Sequence, residues 1–161
     1  MKIGVISDTH LASPSKNLSR LMEGIFKDVS IILHAGDLTR IGVLDAFSGK
    51  ETIAVCGNMD HSDVTRRLPK KEIITIDAYR IGLIHGWGSP NKIEDRIINT
   101  FTNVQAIVYG HSHKAANHIR NGILMFNPGA FSGTFILGRN RSVGVMTIDD
   151  GIRGTIVNIY R

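Results

Sequence analysis

KIGVISDTH, residues 2–10, is an unbroken apolar, β-branched run that ends abruptly in a carboxylate and an imidazole two positions apart. Short apolar runs bounded by Gly or polar clusters read as buried strands. The same punctuation recurs along the chain: SIILHAGD ends in Asp37, TIAVCGN in Asn58, RIGLIH in His85, and QAIVYGHSH in His111 and His113. In open α/β sheets, ligands gather in the crevice beyond the carboxyl ends of the strands. Five such strand ends therefore predict one shared site, with Asp8, His10, Asp37, Asn58, His85, His111 and His113 as candidate metal ligands. Seven donors exceed what one ion usually takes from protein, so a two-metal centre is expected.

Between these strand ends the pattern alternates. After the first strand, about Lys2 to Ser7, the residues Leu18, Leu21, Met22, Ile25 and Phe26 fall at helical spacing on one face, a stripe that reads as core packing. Ser30 to His34 is a second strand, Ile41 to Phe47 a short helix, and Thr52 to Cys56 a third strand. This βαβαβ order implies a parallel sheet with crossover helices. Glu72 to Asp77 and Arg80 to His85 read as strands, and Ser89-Pro90 as a helix start with Ser as N-cap. Ile93, Ile97, Ile98 and Phe101 supply that helix's buried stripe, and Gln105 to Tyr109 is a further buried strand. Asn121-Gly122 predicts a type I′ hairpin between Ala116–Arg120 and Ile123–Phe126. Asp149-Asp150-Gly151 predicts another between Ser142–Ile148 and Ile152–Ile159. The expectation is one domain, 1–161, with a βα half, a β half and helices outside.

Composition narrows the classes. A chain of 161 residues with 42% hydrophobic and 20% charged residues is near the globular norm. No apolar run approaches the roughly 20 residues of a membrane span, and the opening strand does not read as a signal peptide. A single cysteine, Cys56, excludes an internal disulfide and fits a reducing cytoplasm. The net charge of +5 is scattered, with only Arg66, Arg67, Lys70 and Lys71 clustered. Without aromatic interleaving or an arginine-rich tail, a nucleic-acid partner is disfavoured. The cluster reads as a solvated basic edge around a loop, and bound divalent cations would add positive charge that suits a phosphate-bearing ligand.

Asp, His and Asn donors without a thiolate suit Mn²⁺ first, with Ni²⁺, Fe²⁺, Co²⁺, Zn²⁺ or Mg²⁺ as further candidates. The ordered motifs DTH, GD, GN, HG and GHSH, followed by NPG at Asn127 to Gly129, resemble the calcineurin-like metallophosphoesterase superfamily. The GNMD, HGW and NPG forms are similar to its compact bacterial and archaeal phosphodiesterase branch, and the resemblance spans Asp8 to Gly129. It implies a four-layer α/β/β/α sandwich of two mixed β-sheets flanked by helices, with both metals at one edge. It also implies a division of ligands: Asp8, His10 and His113 on the first metal, Asn58, His85 and His111 on the second, and Asp37 as the bridge. Activity would come from metal-activated water attacking phosphorus, with Asp37, Asn58 and His111 acting through that water.

One position departs from the broad superfamily. Many members carry a histidine directly after the GN asparagine as a general acid; here Met59 stands there and cannot donate a proton. His61, two residues on, is the candidate substitute. His34 reads as a structural histidine beside the site, a partner for a ligand histidine where one is needed, and His118 as a surface residue. Cys56 reads as a small buried apolar residue. Asp60 reads either as support for the Asn58 loop or as a turn residue, Trp87 as an aromatic cleft wall or ordinary packing, and Asn127–Gly129 as a tight loop against the metal loops. The expected function is a cytoplasmic hydrolase acting on a phosphodiester small molecule or nucleotide. The alternative rests on a resemblance of IGLIHG, GHSHK and FNPGA to the small retromer subunit, a non-catalytic scaffold of the same superfold. Self-association is left open.

Overall fold

The computed structural model describes residues 1–132 and 141–159. The β1 strand (Lys2–Ile6) pairs in parallel with β2 (Ile31–His34), and β2 with β3 (Glu51–Ala54). The crossovers are α1 (Lys16–Glu23) and a 3₁₀ helix at Ile41–Phe47. Two later strands, β9 (Ser142–Ile148) and β10 (Ile152–Asn158), add antiparallel to the open side of β1, giving a sheet of order β10-β9-β1-β2-β3. The second sheet is β4 (Lys71–Ile76), β5 (Tyr79–Ile84), β6 (Ala106–Tyr109), β8 (Ile123–Asn127) and β7 (Ala116–Arg120), in that spatial order. Here β5, β6 and β8 are parallel, while β4 and β7 are antiparallel edges. Both sheets are mixed and helices flank them, as the motif resemblance implies.

Strand alternation sorts the side chains into layers. Ile3, Val5, Ile31 and Leu33 of the first sheet meet Ile81, Leu83, Val108 and Phe126 of the second in a central core. The alternate residues Ile6 and Ile32 face α1 and the 3₁₀ helix, packing on Leu18, Leu21, Phe26 and Phe47. On the far side, Ile107, Tyr109 and Met125 pack against Ile93 and Ile97 of α3 (Ile93–Ile97), with Ile98 and Phe101 beyond it. Each parallel central strand is buried on both faces, which explains why its sequence is continuously apolar rather than alternating. Among the described residues, no helix is long and apolar enough to cross a membrane.

Some boundaries differ from expectation. The α1 helix is capped by Ser15, whose Oγ accepts from Leu18 N at 3.3 Å, and it stops at Glu23, so Ile25 lies outside it and is exposed. Ser89 does not cap a helix; its Oγ accepts from Asn91 N at 3.2 Å, and α3 begins at Ile93 after Lys92 in the left-handed region (φ 55°). The intervening backbone is committed to a different task, as the Arg96 contacts below show. Asn121 and Gly122 have φ of 50° and 77°, the left-handed pair that a type I′ turn requires.

Candidate metal centre

Backbone bonds beyond the strand ends bring the loops together. Asp8 N donates to Gly36 O at 3.0 Å and His10 N to Asp37 O at 3.1 Å, zipping the loop after β1 to the loop after β2. Gly110 N donates to His85 O at 3.1 Å, joining the loops after β6 and β5. Asp8, His10, Asp37, His111 and His113 all lie in the left-handed region, with φ between 48° and 66°. For non-glycine residues this costs about 1 kcal/mol or more each, a strain that concentrates at functional sites. Left-handed residues at i and i+2 turn both side chains of DTH, and both of HSH, into one space. Glycines permit the close approach: a Cβ on Gly57 would lie 2.2 Å from Asp37 Oδ1, and one on Gly110 would lie 2.0 Å from Ser7 Oγ.

The seven side chains predicted from the sequence form one connected cluster. His113 Nε2 lies 3.0 Å from Asp8 Oδ1, and His10 Nε2 lies 3.8 Å from that oxygen and 3.9 Å from Asp37 Oδ2. The same Asp37 oxygen is 3.3 Å from His85 Nε2. Asn58 Oδ1 is 3.2 Å from His85 Nε2 and 2.9 Å from His111 Nδ1. One donor atom each from Asp8, His10 and His113 falls within 4.8 Å of the others, as does one each from Asp8, Asp37 and His85. Asp37 Oδ2 thus faces both groups, while Asp37 Oδ1 is occupied by Met59 N at 2.8 Å.

Hydrogen bonding fixes which lone pairs point inward. His85 Nδ1 donates to Ala35 O at 2.7 Å, which leaves Nε2 as the donor atom facing Asp37 and Asn58. His111 Nε2 donates to Gly88 O at 2.6 Å, which leaves Nδ1 facing Asn58 Oδ1. Backbone partners on the outer nitrogen are how ligand histidines are oriented. Asp8 is fully buried; its Oδ2 accepts from Ser7 Oγ at 2.6 Å and His111 N at 3.2 Å, while Oδ1 receives no well-directed hydrogen bond. A buried set of carboxylate, amide and imidazole acceptors aimed at one another is unfavourable without a cation among them. The residues therefore fit a divalent metal, and the absence of sulfur donors fits the harder ions.

Electrostatics agree with a site built for positive charge. Burial opposes an imidazolium at His85, but the hydrogen bond to Asp37 and the charges of Asp8 and Asp37 outweigh it and raise its pKa. The Asp8 carboxylate, 3.0 Å from its Nε2, raises that of His113. Burial pushes the Asp37 carboxyl up, yet the His85 hydrogen bond and charge, with the Met59 N–H, hold it below the usual range.

Supporting residues are equally specific. His34 accepts from Gly36 N through Nδ1 at 3.2 Å, so its Nε2 carries the proton toward Thr9 Oγ1, also at 3.2 Å. It braces the two loops, and among the described residues no hydrogen bond joins it to a side chain of the cluster. Asp60 accepts from Thr39 N at 2.6 Å and Gly57 N at 2.7 Å, clamping the Asp37 loop to the Asn58 loop. Asn127 donates to Gly110 O at 2.9 Å and Ser112 Oγ at 3.1 Å, holding the HSH loop. His118 is exposed and pairs with Glu94, and Cys56 is buried and free. His61 occupies the exposed N-cap position of α2 (Ser62–Thr65) without a side-chain capping bond, and among the described residues no hydrogen bond or ion pair links it to the seven clustered side chains. Trp87 is 46% exposed and lines a cleft shared with Asn58 and His85. Sequence reasoning missed the Met59 N–H and the role of Arg96, whose guanidinium bonds the carbonyls of Trp87, Ser89, Asn91 and Lys92. A backbone donor leaves no residue-type signal, and a lone arginine on a helix reads as solvated.

Comparison with known proteins yields a consistent set. The family model described as calcineurin-like phosphoesterase superfamily domain matches residues 1–151. A probable metallophosphoesterase of Methanocaldococcus jannaschii is 32% identical over 163 residues, covering 99% of this chain and 82% of that protein. A phosphodiesterase of the same organism is 29% identical over 148 residues, covering 83% of this chain and 86% of that protein. Among solved structures, an archaeal phosphodiesterase superimposes with a TM-score of 0.75 at 24% identity, over 98% of this chain and 100% of that chain. Vps29 of Entamoeba histolytica complexed with Zn²⁺ superimposes with a TM-score of 0.72 at 21% identity, over 98% and 99% of the respective chains. At these identities the two structures speak to the fold alone.

Proposed function

This chain belongs to the calcineurin-like phosphoesterase superfamily, and from that premise we propose that it is a phosphodiesterase working at a dinuclear metal centre, with Mn²⁺ as the favoured ion. The observation that carries this reading is the connected cluster of inward-facing donors, with Asp37 Oδ2 turned toward both groups. Asp8, His10 and His113 would hold one ion, Asn58, His85 and His111 the other, and Asp37 would bridge them. Two cations so held would supply Lewis-acid activation of water and charge stabilisation at phosphorus.

The chain's own groups set the geometry. Ala35 O and Gly88 O fix the tautomers of His85 and His111, and Met59 N holds one Asp37 oxygen so that the other stays at the centre. Asn58 contributes a neutral oxygen, which leaves the cluster net positive for a phosphate once the ions are bound. Met59 offers no proton, so leaving-group protonation falls to solvent, and esters with good leaving groups should react fastest. A phosphodiester small molecule or nucleotide in the cytoplasm is the substrate we assign.

The test is release of p-nitrophenol from bis(p-nitrophenyl) phosphate by metal-stripped protein reconstituted with Mn²⁺. Turnover that depends on the ion, and that falls about 100-fold or more in Asp37→Asn, is the expected result. Undiminished activity in that variant would sink the bridging assignment. No turnover with any of the candidate ions would leave the non-catalytic scaffold as the better reading.

A further inference from the structure

Beside the ligand cluster lies a cleft of about 560 Å³ bounded by Asn58 and His85 on one side and by Cys56, Ile84, Trp87 and Lys71 on the others. That is the size at which small-molecule sites occur, and its mostly apolar walls do not suit a phosphate. The phosphate belongs at the ligands, so the cleft is shaped for what the phosphate is attached to.

Trp87 is exposed, yet its loop is held firmly. Arg96 Nε donates to Trp87 O at 3.0 Å, and Nη1 reaches Asn91 O at 3.2 Å and Lys92 O at 3.3 Å. The same guanidinium bonds Ser89 O, and His111 ties down Gly88 O. An indole presented on so constrained a backbone is a pre-formed flat surface rather than a mobile tip. Lys70 and Lys71 also line the cleft, and Lys71 Nζ donates to Thr100 O at 3.2 Å and stands 5.7 Å from the Phe101 ring centre. The cleft thus offers an aromatic wall, an apolar floor at Ile84 and Cys56, and a positive rim. A nucleobase matches all three, with π-faces for the indole and edge carbonyl or ring-nitrogen acceptors for the lysines. A simple alkyl ester would use only the apolar floor, and a phenyl ester would leave the lysines without acceptors.

We propose that this cleft seats the nucleobase of a nucleoside phosphodiester, stacked on Trp87, with its phosphate at the adjoining metal ligands. The proposal rests on the phosphodiesterase reading for the fate of the phosphate, and base binding has its own readout. Trp87 is the only tryptophan of the chain, so its emission reports this cleft alone.

The experiment titrates Mn²⁺-reconstituted protein with AMP, ribose 5-phosphate and phenyl phosphate while following tryptophan fluorescence. Saturable quenching by AMP, absent with ribose 5-phosphate and weaker with phenyl phosphate, is expected. Kinetics then compare thymidine 5′-(p-nitrophenyl phosphate) with methyl p-nitrophenyl phosphate, which share a leaving group. Trp87→Ala should raise KM for the thymidine ester roughly 5- to 100-fold more than for the methyl ester, the range of one base–aromatic stack, and Trp87→Phe should recover most of it. Absence of quenching by AMP, phenyl phosphate quenching as strongly as AMP, or equal KM changes for both esters would overturn the nucleobase assignment. Quenching by AMP with hydrolysis of neither ester would support the base site and remove the phosphodiesterase reading instead.

Discussion

Thr9 sits between the proposed ligands Asp8 and His10, and its hydroxyl is held by the fully buried His34. Burial pushes the pKa of His34 down from 6.5 to about 3, so the ring is neutral and serves one acceptor and one donor role at once. Its folded value lies below its unfolded one, so between these limits the unfolded chain binds the extra proton. The His34 contribution to stability is therefore lost as pH falls from 6.5 toward 3. In the metal-free protein, wild type should lose about 2 kcal/mol more than His34→Gln between pH 7 and pH 5, by urea unfolding at each pH. His85 and His113, shifted the opposite way, are common to both proteins and cancel in the difference. Parallel stability profiles would show that His34 is not held neutral. At this scale the sequence was informative about placement: Asp and His at i, i+2 after apolar runs marked side chains that the fold brings into one cluster. It was silent on Met59, whose contribution is a backbone N–H.

The elements were legible where a strand is long enough to be continuously apolar, and least legible where backbone is used for something other than ladders or helices. Ser89-Pro90 carries a helix-start signature, yet the carbonyls of Trp87, Ser89, Asn91 and Lys92 are turned toward Arg96 instead. Those tertiary bonds override the local preference and delay α3 to Ile93. The left-handed ligand residues have the same character: Asp and His tolerate that region, but the choice is made by the loops they join. Arg96→Ala removes the partners of four carbonyls and should free the loop from Gly86 to Lys92. The readout is again Trp87: its steady-state fluorescence anisotropy should fall, and amide exchange in that loop should quicken while β5 stays protected. Unchanged anisotropy would mean that the His111 contact to Gly88 suffices to hold the loop.

For the whole molecule, the proposed ligand set is divided between the two sheets. Asp8, His10, Asp37 and Asn58 follow strands of the first sheet, and His85, His111 and His113 follow strands of the second. The two-sheet sandwich itself was not derivable from strand patterns, because double-sided burial hides which face each residue takes; the motif resemblance supplied it. That division gives metal binding a thermodynamic consequence. A cation that binds only the folded cluster ties the two sheets at one edge and stabilises by mass action, about 2.7 kcal/mol at a hundredfold excess over Kd. For a chain of this size the shift in Tm is roughly 5–10 °C. Calorimetry with Mn²⁺ should show that rise, EDTA should abolish it, and Asp37→Asn should reduce it sharply because the residue facing both groups loses its charge. A rise of equal size in Asp37→Asn would place the stabilising ion elsewhere on the molecule. No rise at saturating metal would mean that the cluster is equally well satisfied by protons, and would remove the dinuclear-metal reading.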